Sequence, residues 1–296
     1  MRESQFGARL VLALCCLLAG CGSASTGTPA GGTLTPVAVP TDRSTPTAVP
    51  VRAAERELAP GVTGTGVEDP FALAAAHRDG LRERPFRLVR SLRIARADGT
   101  ILRRTTRRAT VAPNASRYRV VDTAVDAEVY PVRSVAPRIE LWWAGGPALF
   151  RFSGDGSVRY RRVDDVPSTG PAEDLTMRDR IAGLLSSVDT AVVGRESGET
   201  VGVILVAGEV RRESVLRVPM FLERPRDVSV TLEVDVNGVV REYRIAYDAT
   251  FDGERVRVVR RVGFAFVEGA VEPPAWRERA LNASSVAGPR PDTPRS

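Results

Sequence analysis

Residues 228–266 read VSVTLEVDVNGVVREYRIAYDATFDGERVRVVRRVGFAF, and the reading of this stretch decides the fold. Apolar residues recur at every second position around two turn signals, Asn237-Gly238 and Asp252-Gly253, the pattern of antiparallel strands that bury one face. A two-residue loop at Asn237-Gly238 sets Val236 opposite Val239, Leu232 opposite Tyr243, Val230 opposite Ile245 and Val228 opposite Tyr247. The second turn sets Ala249 opposite Val256 and Tyr247 opposite Val258, and on the other face Asp248 meets Arg257 as a cross-strand ion pair. The apolar parity continues through Val262, Phe264 and Phe266. Arg241 and Arg260 fall on this same apolar face, where a guanidinium needs a partner. A ligand headgroup, an internal carboxylate, a β-bulge that shifts parity and exposure at the sheet margin are the alternatives.

Further towards the N-terminus the same kind of signal repeats. Asp69-Pro70 is an N-cap followed by proline at the first helical position, and a helix is expected through Phe71, Leu73, Ala74, His77 and Leu81, stopping before Pro85. Phe86, Leu88, Leu92 and Ile94 then alternate into a hairpin turn at Asp98-Gly99, with a second turn at Pro113-Asn114. Ile139 to Val163 reads as further hairpins, broken at Gly145-Gly146 and Gly154-Asp155-Gly156. Met177, Ile181, Leu184, Leu185 and Val188 have helical spacing. One α+β domain is therefore expected over residues 61–280.

The ends differ in character. Arg2 and Arg9 precede a short apolar segment, Leu10 to Leu18, that closes on Leu18-Ala19-Gly20-Cys21. This is the layout of a lipoprotein signal peptide over residues 1–20 with a lipid attached to Cys21. The segment is well short of the roughly 20 apolar residues that a spanning helix needs. The expected location is the outer face of the cytoplasmic membrane. With Cys15 and Cys16 removed alongside the signal, Cys21 is the one cysteine left, so disulfides, thiolate metal sites and a cysteine nucleophile are not expected. Residues 21–60, rich in Ser, Thr, Gly and Pro, read as a disordered tether with a reach of roughly 35 Å, and residues 281–296 as a disordered tail. Asn114-Ala115-Ser116 and Asn282-Ala283-Ser284 fit the N-glycosylation pattern.

The order of these elements resembles an uncharacterised family of haloarchaeal surface lipoproteins. The stretch Asp69-Pro70-Phe71-Ala72-Leu73-Ala74-Ala75-Ala76-His77, the strand pattern from Ser229 to Asp248 and the closing Glu272-Pro273-Pro274-Ala275-Trp276 carry the resemblance, together with the lipobox. That architecture is in turn similar to the lipoprotein carriers of the LolA and LppX type. The resemblance implies a strongly curved antiparallel sheet, a half-barrel, wrapping one face over two or more helices, with an enclosed apolar space that holds acyl chains. No residue role comes with it. Haloarchaeal surface proteins are usually acidic, whereas this chain carries net charge +6 and all 42 of its basic residues are arginine.

Composition removes several chemistries. Without lysine there is no phosphate-binding Gly-Lys-Ser/Thr loop, no Schiff-base amine and no Ser-Lys dyad. His77 is the only histidine, so no His-x-x-x-His metal pair exists, and no Gly-x-Ser-x-Gly elbow occurs to join it in a triad. Glu233-Val-Asp235-Val-Asn237-Gly238 resembles the start of a calcium loop, but Arg244 stands at its twelfth position and the hairpin explains the segment. No catalytic residue, cofactor or metal site is therefore expected.

Two functional expectations follow. The first is a carrier that binds or transfers a lipid, a lipoprotein or another amphiphile between sheet and helices. Trp142, Trp143, Phe150, Phe152, Tyr243, Tyr247, Phe264 and Phe266, with Arg241 and Arg260, are the candidate lining, or else closed core. The second is a structural or interaction role at the cell surface. Ten arginines lie between Arg87 and Arg119 with Asp98 as the only acid. Arg103, Arg104, Arg107 and Arg108 are expected to present a positive sheet face to anionic headgroups or an acidic partner. Nucleic acid is not an expected partner, since Phe86 and Tyr118 are the only aromatics available there for base stacking.

Overall fold

The structure, a computed structural model, describes residues 56–127, 134–172, 174–196, 202–207, 216, 219 and 221–283. Cys21, the signal segment, most of the tether and the tail beyond residue 283 lie outside them. The described chain builds one antiparallel sheet of eleven strands with helices on both of its faces.

Helix α1, Pro70–Arg82, starts where the sequence predicts. The Asp69 carboxylate accepts from the backbone N–H of Phe71 and Ala72, both at 2.9 Å, and Leu73, Ala74, His77 and Leu81 form its buried stripe. Strands β1 (Phe86–Arg96), β2 (Ile101–Val111) and β3 (Tyr118–Asp126) follow. They are joined by turns at Asp98-Gly99 and Pro113–Ala115. Next come β4 (Arg138–Trp143), β5 (Ala148–Gly154) and β6 (Ser157–Val163), then helix α2 (Arg178–Leu185) and β7 (Ala191–Glu196). The chain closes with β8 (Gly202–Ala207), β9 (Glu223–Asp235), β10 (Val240–Phe251), β11 (Glu254–Phe266) and the short helix α3 (Arg277–Leu281). Strand order is β6-β5-β4-β3-β2-β1-β11-β10-β9-β8-β7. The first six strands and the last five thus form two meanders, joined where β1 pairs with β11.

The second predicted register holds throughout: Asp248 opposes Arg257, Ala249 opposes Val256 and Tyr247 opposes Val258. The first holds at Leu232/Tyr243 and Val230/Ile245 but slips at both ends. At the turn, the Asp235 carboxylate accepts from the N–H of Asn237 and Val239, and its own N–H donates to the Val239 carbonyl. The loop therefore has three residues, ending in Gly238 at φ +82°. This is the alternative hairpin closure, with a left-handed glycine and a bulge. A second slip between Ala246 and Asp248 leaves Asp227 and Val228 sharing the place opposite Tyr247, with Asp227 at φ +53°.

On the helix-bearing face, α1 and α2 cover a core drawn from Leu73, Leu81, Phe86, Leu88, Ile181, Leu185, Leu232 and Phe264. On the opposite face α3 covers a smaller cluster of Trp142, Leu149, Val271 and Trp276. The expected half-barrel is corrected in one respect: the sheet is open and is not strongly curled. Register shifts, which bend strands, occur in the β1–β2, β7–β8 and β9–β10 pairs, while β2 to β6 pair without one.

Asp235 ties the hairpin to its neighbours, because the Arg241 guanidinium also reaches it at 2.7 Å while the carboxylate side chain is only 4% exposed. Removing one partner of a buried ion pair is costly, so Asp235→Ala is expected to destabilise the fold by about 3 kcal/mol in a denaturant titration.

Candidate functional site

A β-strand sends successive side chains to opposite faces, so the expected lining and the expected positive face both separate into two groups. Of the candidate lining residues, Trp142 points to the far side and is buried under α3. Trp143 packs on Tyr118 with ring centroids 5.2 Å apart, Phe150 stacks on Phe152 at 6.1 Å, and Phe264 meets the His77 ring edge-on at 4.6 Å. Tyr247 is fully buried, and Phe266 lies under the guanidinia of Arg84 and Arg241. Apart from Trp143, which also borders a cavity at the end of α1, these are packing aromatics. Arg241 answers to two of the alternatives weighed for it, an internal carboxylate, Asp235, and a bulge, since the register shifts between Val240 and Glu242.

Tyr243 and Arg260 do line open space. A cleft of about 480 Å³ runs between α2 and the sheet. Met177, Gly183 and Leu184 form its helix side, and Leu92, Tyr243, Ile245 and Val262 its sheet side. Arg90, Arg180 and Arg260 bring three guanidinia to it against one carboxylate, Asp179. Arg260 sits there because it opposes both Ile245 and Leu92 on the buried parity. A second cavity of about 480 Å³ lies at the C-terminal end of α1, with Phe86, Tyr118, Trp143 and Leu175 in its wall and Arg78 and Arg82 beside it.

The four arginines expected to share a face do not. Arg103 and Arg107 lie on the helix-bearing side, paired with Asp126 at 3.5 Å and, through two hydrogen bonds of 2.8 Å, with Asp122. Arg104 and Arg108 point the other way and are exposed. With Arg87, Arg93 and Arg244 they have no acidic partner among the described residues. The outer face is therefore the positive one, and these arginines come from three strands, β1, β2 and β10. Asn114, at φ +54° in its turn, and Asn282, after α3, are both exposed.

Sequence reasoning missed Glu140. It stands on β4 with its side chain 1% exposed and receives Arg119 at 2.5 Å, Arg151 at 2.9 Å and Arg138 at 3.1 Å, with the Trp276 indole N–H at 3.3 Å. Burial alone would raise its pKa, but the hydrogen bonds from Arg119, Arg138 and Trp276 outweigh it and hold the carboxyl down at about 2. The signal was present in Ile139-Glu-Leu-Trp-Trp143: a lone acid in an apolar run, on the same parity as Trp142, requires cationic neighbours.

His77 is fully buried, with Nε2 donating to the Thr176 carbonyl at 2.9 Å and Nδ1 accepting from the Val240 N–H at 3.1 Å. These partners fix the neutral Nε2–H tautomer. It links α1 to the segment before α2 and to β10, a packing role. Among the described residues no group of three His, Cys, Asp or Glu side chains could hold a metal ion, and no helix is long and apolar enough to cross a membrane.

No family model matches the chain, and no curated protein matches it. Among solved structures it is similar to MucB in the MucA/MucB complex of Pseudomonas aeruginosa, at 14% identity and a TM-score of 0.31, covering 73% of this chain and 61% of that one. It is also similar to a chain of the complex of MucB with periplasmic MucA, at 15% identity and a TM-score of 0.28, covering 72% and 58%. The chain thus spans about three fifths of the length of these solved chains. At TM-scores this low the overlap does not establish a common fold.

Burial pushes the His77 pKa down from 6.5 to about 4, against the opposing effects of Thr176, Asp174 and Asp235. The unfolded chain therefore binds the proton first. Stability contributed by neutral His77 is fully present above pH 6.5 and is lost as pH falls to about 4, by roughly 3 kcal/mol. Thermal melts across this range should show that limb in the native protein and a flatter one in His77→Gln. A further loss below pH 4.5 should persist in both as Glu140 titrates.

Proposed function

We propose that this is a non-catalytic, extracytoplasmic protein, anchored through a lipid on Cys21, whose domain binds an anionic amphiphile in the cleft between α2 and the sheet. The anchor is supported by the signal-like segment ending at Cys21. Kinship with the haloarchaeal lipoproteins, and through them with the LolA and LppX carriers, is supported by the residues that resemble them. It is also supported by the plan of an antiparallel sheet with its two longer helices, α1 and α2, on one face.

The observation that carries the ligand reading is the two-sided lining of the cleft. Leu92, Met177, Leu184, Ile245 and Val262 offer an apolar wall, while Arg90, Arg180 and Arg260 supply guanidinia. A volume of about 480 Å³ is in the range of small-molecule sites. An apolar wall favours a hydrocarbon chain, and guanidinia favour a carboxylate or phosphate head. A second reading is favoured by the outer face, where Arg87, Arg93, Arg104 and Arg108, exposed and without an acidic partner among the described residues, would attract an anionic membrane surface.

Gly183 provides a direct test. It lies on the cleft side of α2, and a Cβ added there meets nothing within 4 Å. Gly183→Phe should therefore fill the cleft without breaking the helix, whose propensity it improves. Native extraction and mass spectrometry should find an anionic amphiphile with the full chain and lose it with Gly183→Phe at unchanged melting temperature. Absence of any amphiphile from the native chain, or its retention in the variant, would contradict the cleft reading.

A further inference from the structure

The outer face contains a depression of about 330 Å³ lined by Arg87, Arg108, Thr110, Arg119, Val121 and Arg138. Its construction follows from the register. Arg87 on β1, Thr110 on β2 and Arg119 on β3 stand side by side in one row across the sheet, and Arg108, Val121 and Glu140 in the next. Adjacent strands are spaced about 4.8 Å apart, so Arg87 and Arg119 flank Thr110 with their backbones roughly 10 Å apart. The residues between them, Thr110 and Val121, are short, which leaves the floor low and the guanidinia as walls.

Glu140 holds two of these guanidinia, those of Arg119 and Arg138. Buried beneath the rim, it takes one hydrogen bond each from Arg119, Arg138 and Arg151, using Nη2 of Arg119, Nε of Arg138 and Nη1 of Arg151. Each guanidinium has five N–H donors, so donors remain on Arg119 and Arg138 after the carboxylate is served. These two side chains are 38% and 44% exposed. The carboxylate neutralises one charge of three, and Arg87 and Arg108 add two more without an acidic partner among the described residues. The patch covered by α3, with Trp142 beside Arg119 in the row, closes one side.

We propose that this depression is a binding site for a phosphate-class anion, held between the guanidinia of Arg87, Arg108, Arg119 and Arg138 with the Thr110 hydroxyl beside it. Guanidinium forks match phosphate oxygens in pairs, and the two guanidinia already held by Glu140 lose less freedom on binding than unheld side chains. The proposal rests on the second functional reading in using the same face. It narrows that face from a diffuse field to one site with one chemistry. A free phosphate and the phosphate of a lipid headgroup both satisfy it.

Isothermal titration of the full chain in detergent with inorganic phosphate tests the site. Saturable binding is expected, weakened about tenfold by Arg108→Gln, the loss of one charge-assisted contact. Arg104→Gln removes the same charge from the same strand and face, four residues away, and should leave phosphate affinity within twofold. Phosphatidylcholine vesicles doped with phosphatidic acid supply the second arm. Binding in both arms with the same dependence on Arg108 assigns the site to a headgroup, and binding of free phosphate alone assigns it to a soluble anion; either supports the site. Vesicle binding without saturable phosphate binding, weakened equally by both variants and removed by salt, would overturn the site and leave only the diffuse face. No binding in either arm would overturn both.

Discussion

A side chain on a β-strand has two directions available, and in this sheet one leads under helices and the other to an open face patched by α3. That constraint sorts the arginines of a chain that has no lysine. On the helix-bearing side Arg103, Arg107 and Arg241 meet Asp126, Asp122 and Asp235. On the outer side Arg255 and Arg257 share Asp248, and Arg119, Arg138 and Arg151 share Glu140. Among the described residues, Arg87, Arg93, Arg104 and Arg108 have no acidic partner. The cost of an unpartnered guanidinium is high in a covered layer and slight in water, so the free cations collect where water reaches them.

The same alternation explains what could be read from the sequence. Strands β1 and β9 to β11 carry apolar residues at every second position between explicit turn residues, so their existence, and most of the register of β9 to β11, followed. The Asn237-Gly238 loop length did not, because Asp235 supplies a competing side-chain cap that makes a three-residue closure stable. Arg103-Arg104 and Arg107-Arg108 were expected to act together because they are adjacent in the chain. Adjacency along a strand is what separates them across the sheet. Strand β8, Gly202–Ala207, has a continuous apolar run with no alternation to mark it, and α3 is only five residues long.

The aromatic residues mislead for a related reason. Hydrophobicity reports that a side chain is buried and says nothing of whether a partner already fills the space opposite. Trp142, Tyr247 and Phe264 are all buried, yet each is packed against protein, and the open cleft is bounded by Tyr243, by mid-sized aliphatic residues and by arginines. Gly183 is part of the reason that space exists: without a side chain on that face, α2 leaves room above Ile245 and Arg260. Glu140 shows the converse, a charge buried beneath the surface that arranges the guanidinia around it while contacting no solvent itself.

Hydrogen–deuterium exchange with oleate, whose carboxylate and hydrocarbon chain match the two sides of the cleft lining, tests the central claim of a ligand under α2 most directly. Added to the full chain below its micellar concentration, oleate should slow exchange in residues 177–184 and in the facing segments of β10 and β11. Unchanged exchange in these segments, or protection confined to the outer face of β1 and β2, would contradict it.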